Sequence, residues 1–393
     1  MKYCVLGAGL MGKAVAYDLL CQHDTNSVVL VDGNNARLSE AKDFFNDKRL
    51  ITMQCNVEDI STIELILKDT NAAVAAIHYR FNEVFTKAAI KAKTNLCDLG
   101  GNDSVVDSQL KLDLLAKEAG VSIIPDCGLA PGLVAVLVKW GLDQFQWADT
   151  VKIRVGGLPQ NPINSLKYER LFSVEGLINE YIEPVRVLQD GEIKIVEPLS
   201  DVESIKFPEP FGQLEAFTTS GGASTLIKTY RHRIKNLNYK TIRYPGHANI
   251  MRTLYELGFF SSETLSASNK LLFKPREITA ALFEKNIPLC VDDAVLVKTI
   301  FEGGPKKHEI TIIDKSTDDP PFTAMMRTTA FPAAIIAYMQ AHGQISQNGV
   351  LPQEECIQPE IFINELKKRN IKVNGVNTEQ ANVIPIGIRK RST

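Results

Sequence analysis

Apolar positions in the first 125 residues fall into short runs separated by helical spacing. Tyr3–Leu6 reads as a strand, Ala14, Val15, Leu19 and Leu20 lie on one helical face, and Val28–Val31 reads as a second strand. Further runs end near Met53, Ile77, Cys97 and Ile124, with helical patterns such as Val84–Ala92 and Leu110–Ala119 between them. Near-continuous runs such as Ala72–Ile77 and Val121–Ile124 suit strands covered on both faces. Six strands in this rhythm predict an α/β fold with a doubly wound parallel sheet.

The pattern changes at Cys127-Gly128-Leu129-Ala130-Pro131-Gly132, and a helix through Trp140 reads as a bridge. Beyond it, Val151–Val155, Glu192–Val196, Lys240–Arg243 and Glu309–Ile313 alternate as strands do, with helical stretches at Ala248–Leu257 and Pro275–Glu284. This predicts an α+β second domain on an open mixed sheet. Phe322–His342 and Pro359–Lys368 read as helices, and periodicity alone leaves open whether they return to the first domain. The predicted division is 1–130, 131–322 and a C-terminal helical part, 323–393. No repeat or low-complexity tract is visible.

Length and charge narrow the function classes. A chain of 393 residues suits two domains, and 45% apolar residues supply a sizeable core. A net charge of −2 gives no electrostatic reason to expect nucleic acid or an anionic membrane. The run Arg389-Lys390-Arg391 reads as a solvated end, and no apolar run reaches membrane-spanning length. Seven cysteines (Cys4, Cys21, Cys55, Cys97, Cys127, Cys290, Cys356) form no C-x-x-C pair, and the six histidines lack ligand spacing. The expectation is a reduced, cytoplasmic enzyme with no metal.

Candidate chemistry starts at the first turn. Gly7, Gly9 and Gly12 stand as G-A-G-L-M-G between a strand and a helix, and Asp32 ends the next strand twenty residues after Gly12. This is the dinucleotide-binding arrangement. Gly7 permits the tight turn, Gly9 admits a pyrophosphate, Gly12 lets helix and strand pack closely, and the helix N-terminus faces phosphate charge. Asp32 suits the ribose hydroxyls and repels a 2′-phosphate, which favours NAD over NADP, with Arg37 keeping NADP open. A signal peptide is rejected because Lys13 and Asp18 interrupt the apolar start. Ligands of such sheets bind outside the strand carboxyl ends. Read in order, those ends are the glycine turn, Asp32, Asn56-Val57, His78-Tyr79, Asp98 and Asp126.

Three second-domain stretches stand out. Val155–Pro159 is followed by Phe172–Leu177, with Glu175 read as a solvated helix residue. Ser220-Gly221-Gly222 reads as a carboxylate cradle of backbone amides or as a plain turn. Arg243-Tyr244 and His247 end a strand: Arg243 suits a bidentate carboxylate partner or a structural pair, and His247 suits proton transfer or the start of a helix.

These motifs, with D-L-G-G at Asp98–Gly101, P-D-C-G-L-A-P-G at Pro125–Gly132, F-S-V-E-G-L-I-N-E-Y at Phe172–Tyr181, E-A-F-T-T-S-G-G at Glu215–Gly222, K-T-I-R-Y-P-G-H at Lys240–His247, T-A-M-M-R-T-T-A-F at Thr323–Phe331 and G-V-L-P at Gly349–Pro352, resemble the saccharopine dehydrogenase family. Within it the chain is most similar to the L-lysine 6-dehydrogenases. The resemblance implies a Rossmann domain completed by C-terminal segments, a substrate and dimerisation domain, and a homodimer. It implies NAD-dependent oxidative deamination of lysine's ε-amino group, or the related saccharopine reaction. Arg243, Ser220, Gly221, Gly222 and Tyr244 are then expected around the amino-acid substrate, and Tyr79 between substrate and nicotinamide. Asp98, Asp126 or His247 is expected to act as the base. Leu10, Met11, Asn56, Val57 and His78 are expected along the cofactor. Saccharopine-specific relatives carry an acidic residue where this chain has Ala130, which favours the smaller substrate. A non-catalytic nucleotide sensor is the reading of another class; the Ser220 and Arg243 clusters argue against it.

Overall fold

The computed structural model describes residues 1–266 and 272–375; the basic run Arg389–Arg391 lies outside them. The first sheet contains β1 Lys2–Leu6, β2 Ser27–Asp32, β3 Leu50–Gln54, β4 Ala72–Ala75, β5 Asn95–Asp98 and β6 Ser122–Ile124, all parallel. Their order is β3-β2-β1-β4-β5-β6, and Gly349–Val350 pairs beside β6 as a seventh strand. The α/β Rossmann-type sheet predicted by the alternating runs is therefore present. The apolar runs of β1 and β4 follow from burial on both faces: Val5 and Val74 enter one core cluster, Leu6 and Ala75 the other. Chain order reverses between β1 and β4, which opens a crevice at their carboxyl ends.

One predicted helix breaks. Instead of Leu110–Ala119 there are two, Asp103–Leu110 and Asp113–Ala119. Gln109 is drawn fully inside, donating its amide to Asp98 at 2.7 Å and Thr86 at 3.0 Å. The chain turns just after it and restarts with Asp113, whose charge suits a helix N-terminus.

The second sheet is mixed, as expected. It contains β7 Thr150–Pro159, β8 Val185–Gln189, β9 Glu192–Val196, β10 Glu203–Lys206, β11 Gln213–Thr218 and β12 Asn236–Arg243, with a long hairpin of Asp293–Gly303 and Lys306–Lys315. The path runs β10-β11-β12-β7 and on to the hairpin; β12 and β7 are parallel, and β8 and β9 branch from β12. β7 is longer than the predicted Val151–Val155, because Gly156-Gly157 continues it. A Cβ on Gly156 would lie 2.5 Å from the Ile242 carbonyl oxygen, so glycine is what lets β12 sit so close.

The helix Ala324–Ala341 is buried along almost its whole length and touches β4, β5, the helix Leu10–Leu20 and the strand Asp293–Gly303. Gln340 donates to the carbonyls of Ser122 at 2.9 Å and Leu96 at 3.2 Å. Arg369, after the helix Pro359–Lys368, grips Asp18 through two contacts of 2.6 and 2.8 Å. The C-terminal segments thus lie against the first sheet.

Candidate active site

A cavity of about 730 Å³ lies between the two sheets' domains. Gly7, Gly9, Met11, Asp32, Arg37, Val57, His78 and Tyr79 line its first-domain side. The glycines there divide by what surrounds them. A Cβ on Gly12 would lie 1.8 Å from the Gly7 carbonyl oxygen, and one on Gly7 would lie 2.4 Å from that of Ala76. A Cβ on Gly9 would meet no protein atom within 4 Å. Gly9 is also the N-cap of Leu10–Leu20 and offers that helix no side-chain cap. Open space at an uncapped helix start fits the pyrophosphate of a dinucleotide. Leu10, the first helical residue, is exposed beside Met11, and Asn56 accepts from the Glu58 amide across Val57; Met11 and Val57 line the cavity, whereas Leu10 and Asn56 do not.

Asp32 accepts the Ala8 amide at 2.8 Å on one carboxylate oxygen and the Asn34 amide at 2.8 Å on the other. Arg37 stands 3.8 Å from it, with most of its side chain exposed. The adenosine end therefore carries both an acid and a guanidinium.

At the opposite end, Arg243 closes β12 at 2% exposure. Its guanidinium donates to the Ile242 carbonyl at 3.0 Å and lies over the Tyr168 ring; its Nε has no partner, and no carboxylate pairs with it among the described residues. Tyr181 also hydrogen-bonds this guanidinium, but a buried guanidinium that lines a cavity without a carboxylate suits an incoming anion.

The helix Val174–Ile182 forms a further part of the cavity wall. Val174, Leu177, Ile178 and Tyr181 point into the core, while Gly176, Asn179, Glu180 and, one residue past the end, Glu183 line the cavity. The spacing i, i+3, i+4, i+7 is one helical stripe. Three contacts tie this wall to the first domain: Glu175 to His78 at 3.3 Å, Asn179 to the Tyr79 hydroxyl at 2.9 Å, and Asn102 to Glu183 at 3.2 Å. Asn179 also accepts from Arg276. Burial pushes the Glu180 carboxyl up to about 7, against the pull of Arg243, and raises Glu183 as well.

Several expected site residues lie elsewhere. Asp98 is wholly buried, accepting from Gln109, the Gly100 amide at 2.8 Å and the Asp126 amide at 3.2 Å. Asp126 lies beneath Gly100, bonded to Ser224. Burial raises both carboxyls, and for Asp126 the neighbouring Asp98 adds to it, but neither lines the cavity. They stitch the strand ends together instead. His247 is also outside it: its Nδ1 donates to the Leu166 carbonyl at 3.0 Å and its Nε2 accepts from the Tyr181 hydroxyl at 2.9 Å. Burial and the nearby Arg243 push it down to about 3, so it stays neutral. Tyr244 donates to the Pro159 carbonyl at 3.0 Å, away from the cavity. Ser220 and Gly221 do line it, yet the amide cradle is closed, because the Ser220 amide donates to the Glu180 carbonyl at 3.1 Å. Gly222 is packed under the Tyr239 ring, where a Cβ would lie 2.3 Å away. Among the described residues no cluster of three His, Cys, Asp or Glu forms a metal site, and no helix is long and apolar enough to cross a membrane.

Comparison with known proteins covers both domains. A family model described as the saccharopine dehydrogenase NADP binding domain matches residues 3–124, and one described as the saccharopine dehydrogenase C-terminal domain matches residues 128–371. Saccharopine dehydrogenase (NADP+, L-glutamate-forming) of Saccharomyces cerevisiae is 23% identical over 282 residues, 69% of this chain and 60% of the relative. The mitochondrial alpha-aminoadipic semialdehyde synthase of Rattus norvegicus is 21% identical over 286 residues, 68% of this chain and 29% of the relative. The chain therefore spans less than two thirds of the length of either. Carboxyaminopropylagmatine dehydrogenase of Synechocystis is 20% identical over 391 residues, 93% of this chain and 95% of the relative. The solved apo saccharopine dehydrogenase (L-Glu forming) from S. cerevisiae superposes with a TM-score of 0.76 at 18% identity, covering 96% of this chain and 100% of that one. With both of its domains matched in order across nearly the whole length, on the same fold, the chain belongs to the saccharopine dehydrogenase family.

Proposed function

We propose that this protein is an oxidoreductase acting at the carbon that bears the ε-nitrogen of an amino acid, with L-lysine as substrate and 2-aminoadipate 6-semialdehyde and ammonia as products. The observation that carries this reading is Arg243, a buried guanidinium without a carboxylate, facing a cavity shared with the dinucleotide turn. It holds the substrate's α-carboxylate. The same cavity offers Glu180 and Glu183. One cation and two acids in this part of the cavity wall suit lysine, which carries one carboxylate and two amines. Saccharopine carries three carboxylates and would meet too few cations. Ala130, on the cavity wall, likewise leaves the site without a further acid.

A bound nicotinamide supplies the hydride acceptor. The chain's own residues fix the amino acid through Arg243, present the ε-carbon across Tyr79 and the Gly100-Gly101 turn, and keep the reacting end between two domains. Removal of a proton from the ε-ammonium must precede hydride loss, since a protonated amine has no lone pair with which to form the C=N bond. Water then adds to that bond and ammonia leaves.

The cofactor is a nicotinamide dinucleotide, with NAD favoured by Asp32 and NADP by Arg37. The family model is described as NADP-binding, and the yeast relative is named for NADP. These descriptions support Arg37 facing a 2′-phosphate. A second reading, a saccharopine-type substrate, is supported by Arg276, whose guanidinium reaches Asn179 at the cavity wall.

Absorbance at 340 nm with lysine or saccharopine and each dinucleotide tests the reading. Turnover of lysine is expected. Arg243→Ala is expected to lower kcat/KM at least tenfold while NADH binding, followed by fluorescence, stays within about twofold. Turnover of saccharopine alone would replace the substrate, and unchanged activity in the variant would remove Arg243 from the site.

A further inference from the structure

The residue that accepts the substrate's proton is open in the sequence, and the geometry of the cavity narrows it. Resting on the amine-dehydrogenase reading above, we propose that Glu180 is the catalytic base, taking the ε-ammonium proton onto its carboxylate as the step before hydride leaves the ε-carbon. The proton passes from N to a Glu180 oxygen, the amine regains its lone pair, and that pair forms the C=N bond as hydride departs with its two electrons to the nicotinamide.

Four observations converge on this residue. First, Glu180 lines the cavity, whereas Asp98, Asp126 and His247 do not. Second, neither carboxylate oxygen of Glu180 has a hydrogen-bond partner among the described residues, so both are available to a ligand. Glu183, by contrast, already accepts from Asn102 at 3.2 Å and Ser220 at 3.5 Å, and Asp32 from two backbone amides. Third, the backbone beside it is fixed: the Glu180 carbonyl takes the Ser220 amide, and the preceding Asn179 is held by Tyr79 and Arg276. The carboxylate thus has a rigid base and a free end. Fourth, Glu180 and Arg243 line the same cavity, with no ion pair between them among the described residues. A ligand whose carboxylate meets the guanidinium presents its amine across the same cavity.

The titratable groups that act on Glu180 are Arg243 and Tyr239 of β12, Tyr181 and Glu183 of its own segment and Tyr168 from the loop before it, while Arg276 and Tyr79 meet the neighbouring Asn179 from other elements. The tyrosines, all raised by burial, stay neutral over the working range. Arg243 favours the ionised carboxylate, while burial and Glu183 oppose it, and the balance is the value near 7. A general base is useful in its deprotonated form, so activity should rise with pH through about 7 and level off above it.

The experiment is the pH profile of kcat/KM for wild type and Glu180→Gln, with NADH affinity measured in parallel. Wild type is expected to show a limb near 7. In the variant activity is expected to fall at least a hundredfold at pH 8, and its limb to move toward about 10, where a free ε-amine loses its proton unaided. Glu180→Ala is expected to regain activity with added formate or acetate, which a purely structural role would not allow. A variant that keeps the limb near 7 gives the base to another group, and one that also loses NADH binding makes Glu180 structural; either overturns the proposal while wild-type turnover upholds the reading beneath it. A wild type inert toward every amine tested removes both.

Discussion

Asp32 and Arg37 set a contest that residue-level chemistry can decide. Asp32 has used one lone pair on each oxygen for backbone amides, which holds the carboxylate in place and leaves it able to accept from ribose hydroxyls. Arg37, mostly exposed and 3.8 Å away, forms only a loose pair worth little by itself. Its guanidinium is free to turn toward a 2′-phosphate. Arg37→Ala is therefore expected to raise KM for NADP about tenfold and leave that for NAD within about twofold. Asp32→Ala is expected to weaken NAD and narrow the difference, as read from initial rates with both dinucleotides. At this scale much was legible: an acid at the end of the second strand is visible from spacing alone. The direction in which Asp98 and Asp126 point was not. Both stand at strand ends as predicted, but Gln109 and Ser224, eleven and ninety-eight residues away, turn their carboxylates inward.

The helices carry the next level. In the glycine turn, two of three glycines are required by the protein and one by its ligand, and substitution separates them. Gly12→Ala drives a methyl into the Gly7 carbonyl and is expected to lower the thermal unfolding midpoint by several degrees along with NADH affinity. Gly9→Ala meets open space in the protein at a permitted backbone angle. It is expected to leave the midpoint within about 2 °C yet weaken NADH binding at least tenfold, as seen by thermal melts beside fluorescence titration. The helix Val174–Ile182 shows what the sequence hid. Asn179, Glu180 and Glu183 were not singled out, because periodicity reports that a stripe is polar and not what lies opposite it. A glycine within that stripe, Gly176, was the available signal, since an ordinary exposed helix face gains nothing from one.

Across the whole molecule, the first sheet depends on chain that follows the second. The helix Ala324–Ala341 covers β4 and β5, Gly349–Val350 completes the edge at β6, and Arg369 neutralises the buried Asp18. Removing residues from 323 onward is expected to leave a first domain without cooperative thermal unfolding or measurable NADH binding. Supplying residues 323–393 as a second chain is expected to restore part of both, with circular dichroism and fluorescence as readouts. The helices themselves were legible: Phe322–His342 was expected and Ala324–Ala341 observed, and Pro359–Lys368 matches at both ends. Their destination was not written in their periodicity. The first helix is apolar nearly all round, which marks a buried helix but does not say which layers bury it.

This return of the chain has a consequence for biosynthesis. A ribosome releases the glycine turn and its six strands early, long before the segment that covers β4 and β5 exists. Until some two hundred further residues have been made, the nascent first domain presents a bare apolar sheet face and an unpaired Asp18. A dinucleotide that binds the assembled first domain is then expected to stabilise chains that have reached this segment, and not products terminated before it. Occupancy by the dinucleotide is then expected only of chains that have passed the segment covering β4 and β5.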